Sequence, residues 1–463
     1  MENTQPQDSN EYLLKDAPIS KAIRRLSLPM IIGLSIGTVY TVINIYFIGL
    51  LKNVPMLTAL TLGLPVFLVL MTIGNMFGVG SSTYITRLIA KNEKDKAKSI
   101  ASYAVYSSFL FSILISIIAI IFINPIAHIL GANGATLIVT KNYCIASLAL
   151  GFCVVLNFTL EQIVRSTGAT KESMYGMAIS ALVNLILDPL LILVFHFDLV
   201  GAAVAMSLAN LVSAMYYMYY LHFKSIQLHK FFKITKISFK DRIEIFKIGF
   251  PEVIQMSFML VSTLLLNNFC MEYGATVEAG IGISLRIVQV PEFISMGIFL
   301  GLIPLLAHSY SSKNFKRFNA AIKGGFKYIL LVSFCFCIIG FIFKTPILKL
   351  FTNNLDVIKV GSFLLAIMLL ASLFNGISGL FVGVFQATGK GTPTAIITIT
   401  QGILSIPAVI VLHYFFGLTG VMIAMPSTEF VAFILGACMY IFFRKEFSGK
   451  HPHKISEVSE VSS

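Results

Sequence analysis

The chain has 463 residues, of which 57% are hydrophobic and only 12% charged, proportions far outside those of soluble domains. Its formal charge of +13 sits in clusters between long apolar runs, which excludes a nucleic-acid-binding surface and leaves little chain for a soluble domain.

Each crossing of a bilayer needs about 20 apolar residues, so the hydropathy predicts an all-α integral membrane protein with twelve transmembrane helices. The spans fall near 26–51, 55–80, 99–123, 138–163, 174–196 and 200–221, then 244–271, 279–306, 320–343, 358–386, 393–416 and 418–443. Residues 1–18 and 446–463 read as disordered cytoplasmic tails, and 223–243 as a cytoplasmic linker between bundles 19–222 and 244–445. The first apolar run is too long for a cleavable signal peptide and lacks a small-residue cleavage site.

Lys15, Lys21, Arg24 and Arg25 precede the first span, and Arg87, Lys91, Lys94, Lys96 and Lys98 surround the connection after the second. Further clusters follow the sixth span (Lys224 to Lys247) and the eighth (Lys313 to Lys327). The opposite loops are nearly bare apart from Lys52, Lys141, Lys344, Lys349 and Lys359. That asymmetry places both termini in the cytoplasm. The six cysteines lie in or beside the spans and read as buried, reduced, small hydrophobes.

Residues 20–222 and 242–443 read as a repeat with an offset near 220. LSLPMIIG around Pro29 answers IGFPEVIQ around Pro251, RSTG at 165–168 answers QATG at 386–389, and LVGAAVAM at 199–206 answers LTGVMIAM at 418–425. Six spans is an even number, so both halves start on one side of the membrane with the same orientation. Two pseudo-symmetric six-helix bundles with a cavity between them follow, which is transporter architecture.

The fifth span contains Asn184, Asp188 and Pro189. An ionised carboxylate at membrane depth is costly without a partner or a cavity. Asn184 lies one helical turn before Asp188 on the same face, and Pro189 frees a backbone carbonyl. Acid, amide and carbonyl together suit a proton or small cation, while a hydrogen-bonded kink beside the proline is the plainer reading of the same residues.

The segments LSLPMIIG at 26–33, NIYFIG at 44–49, GNMFGVGSSTYITRL at 74–88 and LEQIVRSTGA at 160–169 resemble the multidrug and toxic compound extrusion (MATE) family. So do NLILDPLLI at 184–192, IGISLRIVQVPEFISMG at 281–297 and FVGVFQATGKG at 381–391, and the order and spacing of all seven resemble MepA-type bacterial exporters most. The resemblance implies two bundles that alternate access, in a bacterial plasma membrane, and exchange inward-moving cations for outward-moving drugs. It implies a coupling site on Tyr40, Asn44, Asn157, Asn184 and Asp188. Asn44 stands where many relatives carry an aspartate, which leaves Asp188 as the main acid. Burial penalises the charged form of a lone carboxylate, so proton coupling is favoured over a firmly bound sodium ion.

The same resemblance gives Glu161 a part in coupling or cationic drug binding, whereas its spacing from Arg165 allows an ion pair one helical turn long. Arg286 and Glu292 lie six residues apart in the eighth span, with Pro291 between them to change their relation, and read as a static or a switching pair. The resemblance also lets Glu292 face the cavity and attract cationic drugs. Gln255, Asn267, Asn375, Gln386 and Gln401 are polar groups inside spans, suited to helix-to-helix hydrogen bonds, a few of them to substrate. The 39 Phe, 17 Tyr and 18 Met are consistent with receiving aromatic cations.

QATGKGT at 386–392 lacks the glycine spacing and the Ser or Thr of a phosphate loop, so an ion gradient rather than ATP is the expected energy source. The eight His form no metal or catalytic pattern, and neither a cofactor nor a nucleic-acid partner is expected. A non-enzymatic, monomeric antiporter of cationic amphipathic drugs and dyes against protons is the leading reading. The alternatives are a sodium-coupled drug antiporter and a lipid-linked oligosaccharide flippase. Arg286 as the one basic residue deep in a span argues against the flippase, whose cavity needs several cations for a pyrophosphate.

Overall fold

The computed structural model describes residues 10–49, 54–233 and 236–449. Lys52 therefore lies outside the described residues, as do residues 1–9 and 450–463 of the expected tails; the side chains of Asn267 and Cys270 are also outside them.

Every regular element among the described residues is helical. A short α1 (Asn10–Lys15) precedes α2 (Ile19–Gly49), α3 (Val54–Ala90) and α4 (Lys94–Ile121). After α5 (Ile123–Ile129), the helices α6 (Ala135–Ala149) and α7 (Gly151–Ser166) form one span bent by 50°. Then come α8 (Thr170–Pro189) and α9 (Asp198–Tyr219), each prolonged by a π-helical turn, 190–194 and 220–224. The second half comprises α10 (Phe239–Glu272), α11 (Ala275–Ser311), α12 (Phe315–Lys349), α13 (Leu355–Ala387) and α14 (Gly391–Phe447). Ten of these helices are long and apolar enough to cross a membrane, and the bent α6/α7 pair makes an eleventh span.

The twelfth comes from α14, whose 57 residues are two helices broken at Gly417. Gly417 has φ 56°, a left-handed conformation that costs glycine little. Gly420 then passes so close to Leu412 that an added Cβ would stand 1.8 Å from its carbonyl oxygen. The break falls between the expected spans 393–416 and 418–443. Twelve membrane-spanning helices result among the described residues.

One lobe packs α2 on α8, α3 on α7 and α8 on α9; the other packs α13 against α11, α12 and α14, and α10 on α14. The repeat is visible in the turns. Gly168 and Gly389 have φ 79° and 76°, and Asn92 and Lys313 have φ 62° and 58°. The lobes meet where α3 crosses α10 and α2 crosses α11. These crossings are too close for side chains: an added Cβ at Gly249 would stand 2.0 Å from Met76 O, and one at Gly301 2.7 Å from Leu26 O. All four positions lie in the half of each helix nearest the Lys- and Arg-rich connections. That end of the molecule, the basic end, is closed.

Two expected boundaries shift. Residues 10–15 of the presumed tail 1–18 are helical, with Leu13 and Leu14 buried. At the other terminus Phe447 is fully buried and Glu446 bonds Lys390 at 2.9 Å, so the packed fold runs past 445.

Candidate functional site

Asp188 lies in the last turn of α8, just before Pro189 and the π-helical turn 190–194. Proline removes one helical N–H, and the wider turn takes up the displaced backbone bonds, with Phe195 N bonded to Leu190 O at 3.0 Å. Asp188 has no exposure to solvent. Its Oδ2 accepts from Tyr40 Oη at 2.9 Å and from Asn44 Nδ2 at 2.6 Å. Asn44 Nδ2 also donates to Tyr40 Oη at 2.9 Å. Both donors project from one face of α2, four residues apart.

The other oxygen, Asp188 Oδ1, is buried without a partner, and so is Asn184 Oδ1 one turn earlier on α8. Two stranded acceptors are unfavourable unless a donor or a cation reaches them. A proton on Asp188 supplies one donor. The structure thus brings Tyr40, Asn44, Asn184 and Asp188 together. Asn157 on α7 is engaged elsewhere: its Nδ2 donates to Asn210 Oδ1 at 2.8 Å, leaving its own Oδ1 buried and unpaired. Asn210, on α9, was not among the expected residues.

Glu161 forms the ion pair that its spacing allows. Arg165 Nη1 lies 3.4 Å from Glu161 Oε1, both residues are 5% exposed, and Arg165 also donates to Gln162 Oε1. Across the lobe boundary Glu252 on α10 lies within electrostatic range of Arg165 and accepts from Gln386 Nε2 at 2.8 Å.

In the second lobe Arg286 and Glu292 form no ion pair, because Arg286 is exposed while Glu292 is half-buried. Six residues of helix turn the two side chains to different faces, and Pro291 does not reunite them. Glu292 instead lies within electrostatic range of Glu429 on the second half of α14. Glu429 Oε1 accepts from Gln401 Nε2 at 2.6 Å, Asn375 of α13 lies nearby, and Glu429 Oε2 is buried and unpaired. Gln255 is half-buried on α10.

Glu252 and Glu429 are absent from the sequence-based set, although an acid inside an apolar span was the signal that singled out Asp188. Cys144 and Cys153 are buried as expected, whereas Cys335 and Cys438 are exposed.

The MatE family model matches residues 29–190 and again 251–415, one match in each lobe. The multidrug export protein MepA of Staphylococcus aureus (strain MRSA252) is 37% identical over 440 residues, 95% of this chain and 97% of that protein. The multidrug export protein MepA of Staphylococcus haemolyticus (strain JCSC1435) is 38% identical over 438 residues, 94% of this chain and 96% of that one. Among solved structures, a MATE in its bent conformation superposes with a TM-score of 0.87 at 23% identity, covering 96% of this chain and 98% of that one.

Proposed function

We propose that this chain, which belongs to the MATE family of multidrug efflux transporters, exports cationic amphipathic drugs and dyes in exchange for protons. The observation that carries the proposal is Asp188, fully buried, with one oxygen tied to α2 and the other unpaired. An isolated charge at this depth is costly, so a proton or a cationic partner must come and go with the cycle. Protonation would neutralise the carboxylate and weaken its two charge-assisted hydrogen bonds to Tyr40 and Asn44. That frees α2 to shift on α8 and favours the drug-free state. Drug and proton would then exclude one another in this lobe.

Glu292 and Glu429, with Gln401 and Asn375 around them, supply negative charge in the second lobe and would receive a drug's cationic group. The positive-inside asymmetry supports both termini in the cytoplasm of a bacterial cell, and the protein would act as a monomer. Sodium coupling is a second reading that one observation favours. The carboxamide and carboxylate oxygens Asn157 Oδ1, Asn184 Oδ1 and Asp188 Oδ1 are among those of this lobe that lack partners, and hard cations take oxygen ligands.

Ethidium efflux from proteoliposomes tests the proposal, with proton and sodium gradients imposed separately. Efflux on a proton gradient alone, absent in Asp188→Asn, is expected. Efflux driven by sodium alone would replace the proton reading, and none under either gradient would favour the flippase.

A further inference from the structure

The two lobes exchange their leading segments. By chain order α2 belongs to the first lobe, and its far half faces Asp188. Its beginning and the preceding α1 are nevertheless built into the second lobe. Leu13, Leu14, Ala17, Ala22, Ile23 and Leu26 are each at most 6% exposed. They share one apolar core with Leu302, Leu306 and Phe318 of α11 and α12. Gly324 of α12 comes so near that an added Cβ would stand 2.4 Å from Ile23 Cδ1.

A single side chain clasps this segment. Arg317, in the first turn of α12, donates from Nη2 to Leu13 O at 2.8 Å, from Nε to Leu14 O at 2.9 Å and from Nη1 to Ala17 O at 2.6 Å. The rigid guanidinium fork suits three convergent carbonyls at the end of a short helix, where unpaired C=O groups collect. Asn314 caps α12 by accepting from Arg317 N at 3.1 Å, which fixes the clasp's base. On its other side Leu14 touches the first lobe, being the residue nearest to Gly168 in the turn between α7 and α8.

The second half repeats the arrangement in reverse. Leu228, Phe231, Ile237 and Ile245, which lead into and begin α10, lie in the apolar core of the first lobe with Ile100 and Tyr217. Lys233 N donates to Ser102 Oγ at 3.1 Å. Asp241, in the first turn of α10, accepts from Tyr84 Oη at 2.6 Å and pairs with Lys96 Nζ at 2.9 Å. Lys96 stands in the first turn of α4 as Arg317 does in α12, close to the repeat offset.

We propose that segments 10–26 and, in the second half, 225–233 with 236–245 are reciprocal straps that hold the basic end shut, with Arg317 and the Lys96–Asp241 pair as their polar clasps. Lobes that part at this end cannot keep α2 and α10 docked at once on both sides, so each strap must leave the opposite lobe before the basic end opens. The idea rests on the alternating-access reading of the proposed function.

The labelling that tests it needs neither drug nor ion gradient, and efflux is measured separately. Ser27, buried under α11 with its Oγ bonded to Ile298 O at 3.2 Å, becomes a reporter as Ser27→Cys in full-length protein whose native cysteines are replaced. In lipid nanodiscs, the rate of labelling by a bulky maleimide reads how often the basic end opens. Charge-assisted bonds of this kind are worth enough that Arg317→Gln should raise the rate about tenfold. Removal of residues 1–17 should match it, and Arg317→Lys should give a smaller rise. Lys96→Gln should give a further rise in combination.

A preparation retaining only Cys153, buried in the first lobe, separates opening from unfolding. Faster labelling confined to position 27 supports the straps. Equal rises at both positions, or no rise with Arg317→Gln and the truncation, overturn them. Unchanged labelling beside proton-driven efflux would remove the straps alone, and faster labelling without efflux would remove the exporter reading alone.

Discussion

The two lobes both bury acid, yet they hold it differently. In the first, Asp188 is wholly enclosed and its two donors, Tyr40 and Asn44, come from α2, the helix whose beginning is seated in the opposite lobe. In the second, Glu429 takes its donor from Gln401, on α14 within its own lobe, and has Asn375 of α13 and Glu292 as neighbours. The pseudo-symmetric mate of α2 is α10, and no hydrogen bond joins it to Glu429 among the described residues. A change of charge at Asp188 therefore acts directly on a helix that spans the lobe boundary. A change at Glu429 acts on helices that move with it. Under the proposed function, this contrast would place coupling in the first lobe and recognition of substrate charge in the second.

The largest expected effect breaks the symmetry outright. Asp188→Asn should reduce proton-driven ethidium efflux by about a hundredfold or more, the loss of a whole coupling step. Glu429→Gln should leave proton-driven turnover of an uncharged or weakly basic substrate intact and lower the affinity for dications several-fold, measured as the ratio of apparent KM values. A similar loss of turnover in both variants would erase the distinction between the lobes.

Removing donors sharpens it. Asn44→Ala takes away a 2.6 Å charge-assisted bond that links α2 to α8, and a cost of about 1.5–3 kcal/mol predicts roughly a tenfold drop or more in efflux rate. Gln401→Ala removes the equivalent 2.6 Å bond to Glu429 without touching the lobe boundary, so drug affinity should change and coupling stoichiometry should not. The smallest expected effect is a gain. Asn44→Asp adds a second carboxylate beside Asp188 and should introduce a measurable sodium dependence into efflux, by about two- to threefold, where none is expected of wild type.

Much of this site was legible beforehand because helical spacing and membrane depth are local properties. Asn184 with Asp188, and Tyr40 with Asn44, each fall one turn apart on one face, and the final span boundary coincides with Gly417. What the sequence hid depends on contacts between distant segments. The placement of α1 is set by Arg317, some 300 residues away, so the segment read as a disordered tail. Asn157 is paired by Asn210 on another helix, whereas the separation of Arg286 from Glu292 follows from their six-residue spacing on one helix. Glu252 and Glu429 were different, since each is an acid inside an apolar run and needed no structure to be noticed.

The most direct test of coupling at Asp188 is the number of protons released when ethidium binds the purified protein in weakly buffered solution. Wild type and Glu429→Gln are predicted to release about one proton per drug bound, and Asp188→Asn none. Undiminished release from Asp188→Asn would contradict the assignment of coupling to the first lobe.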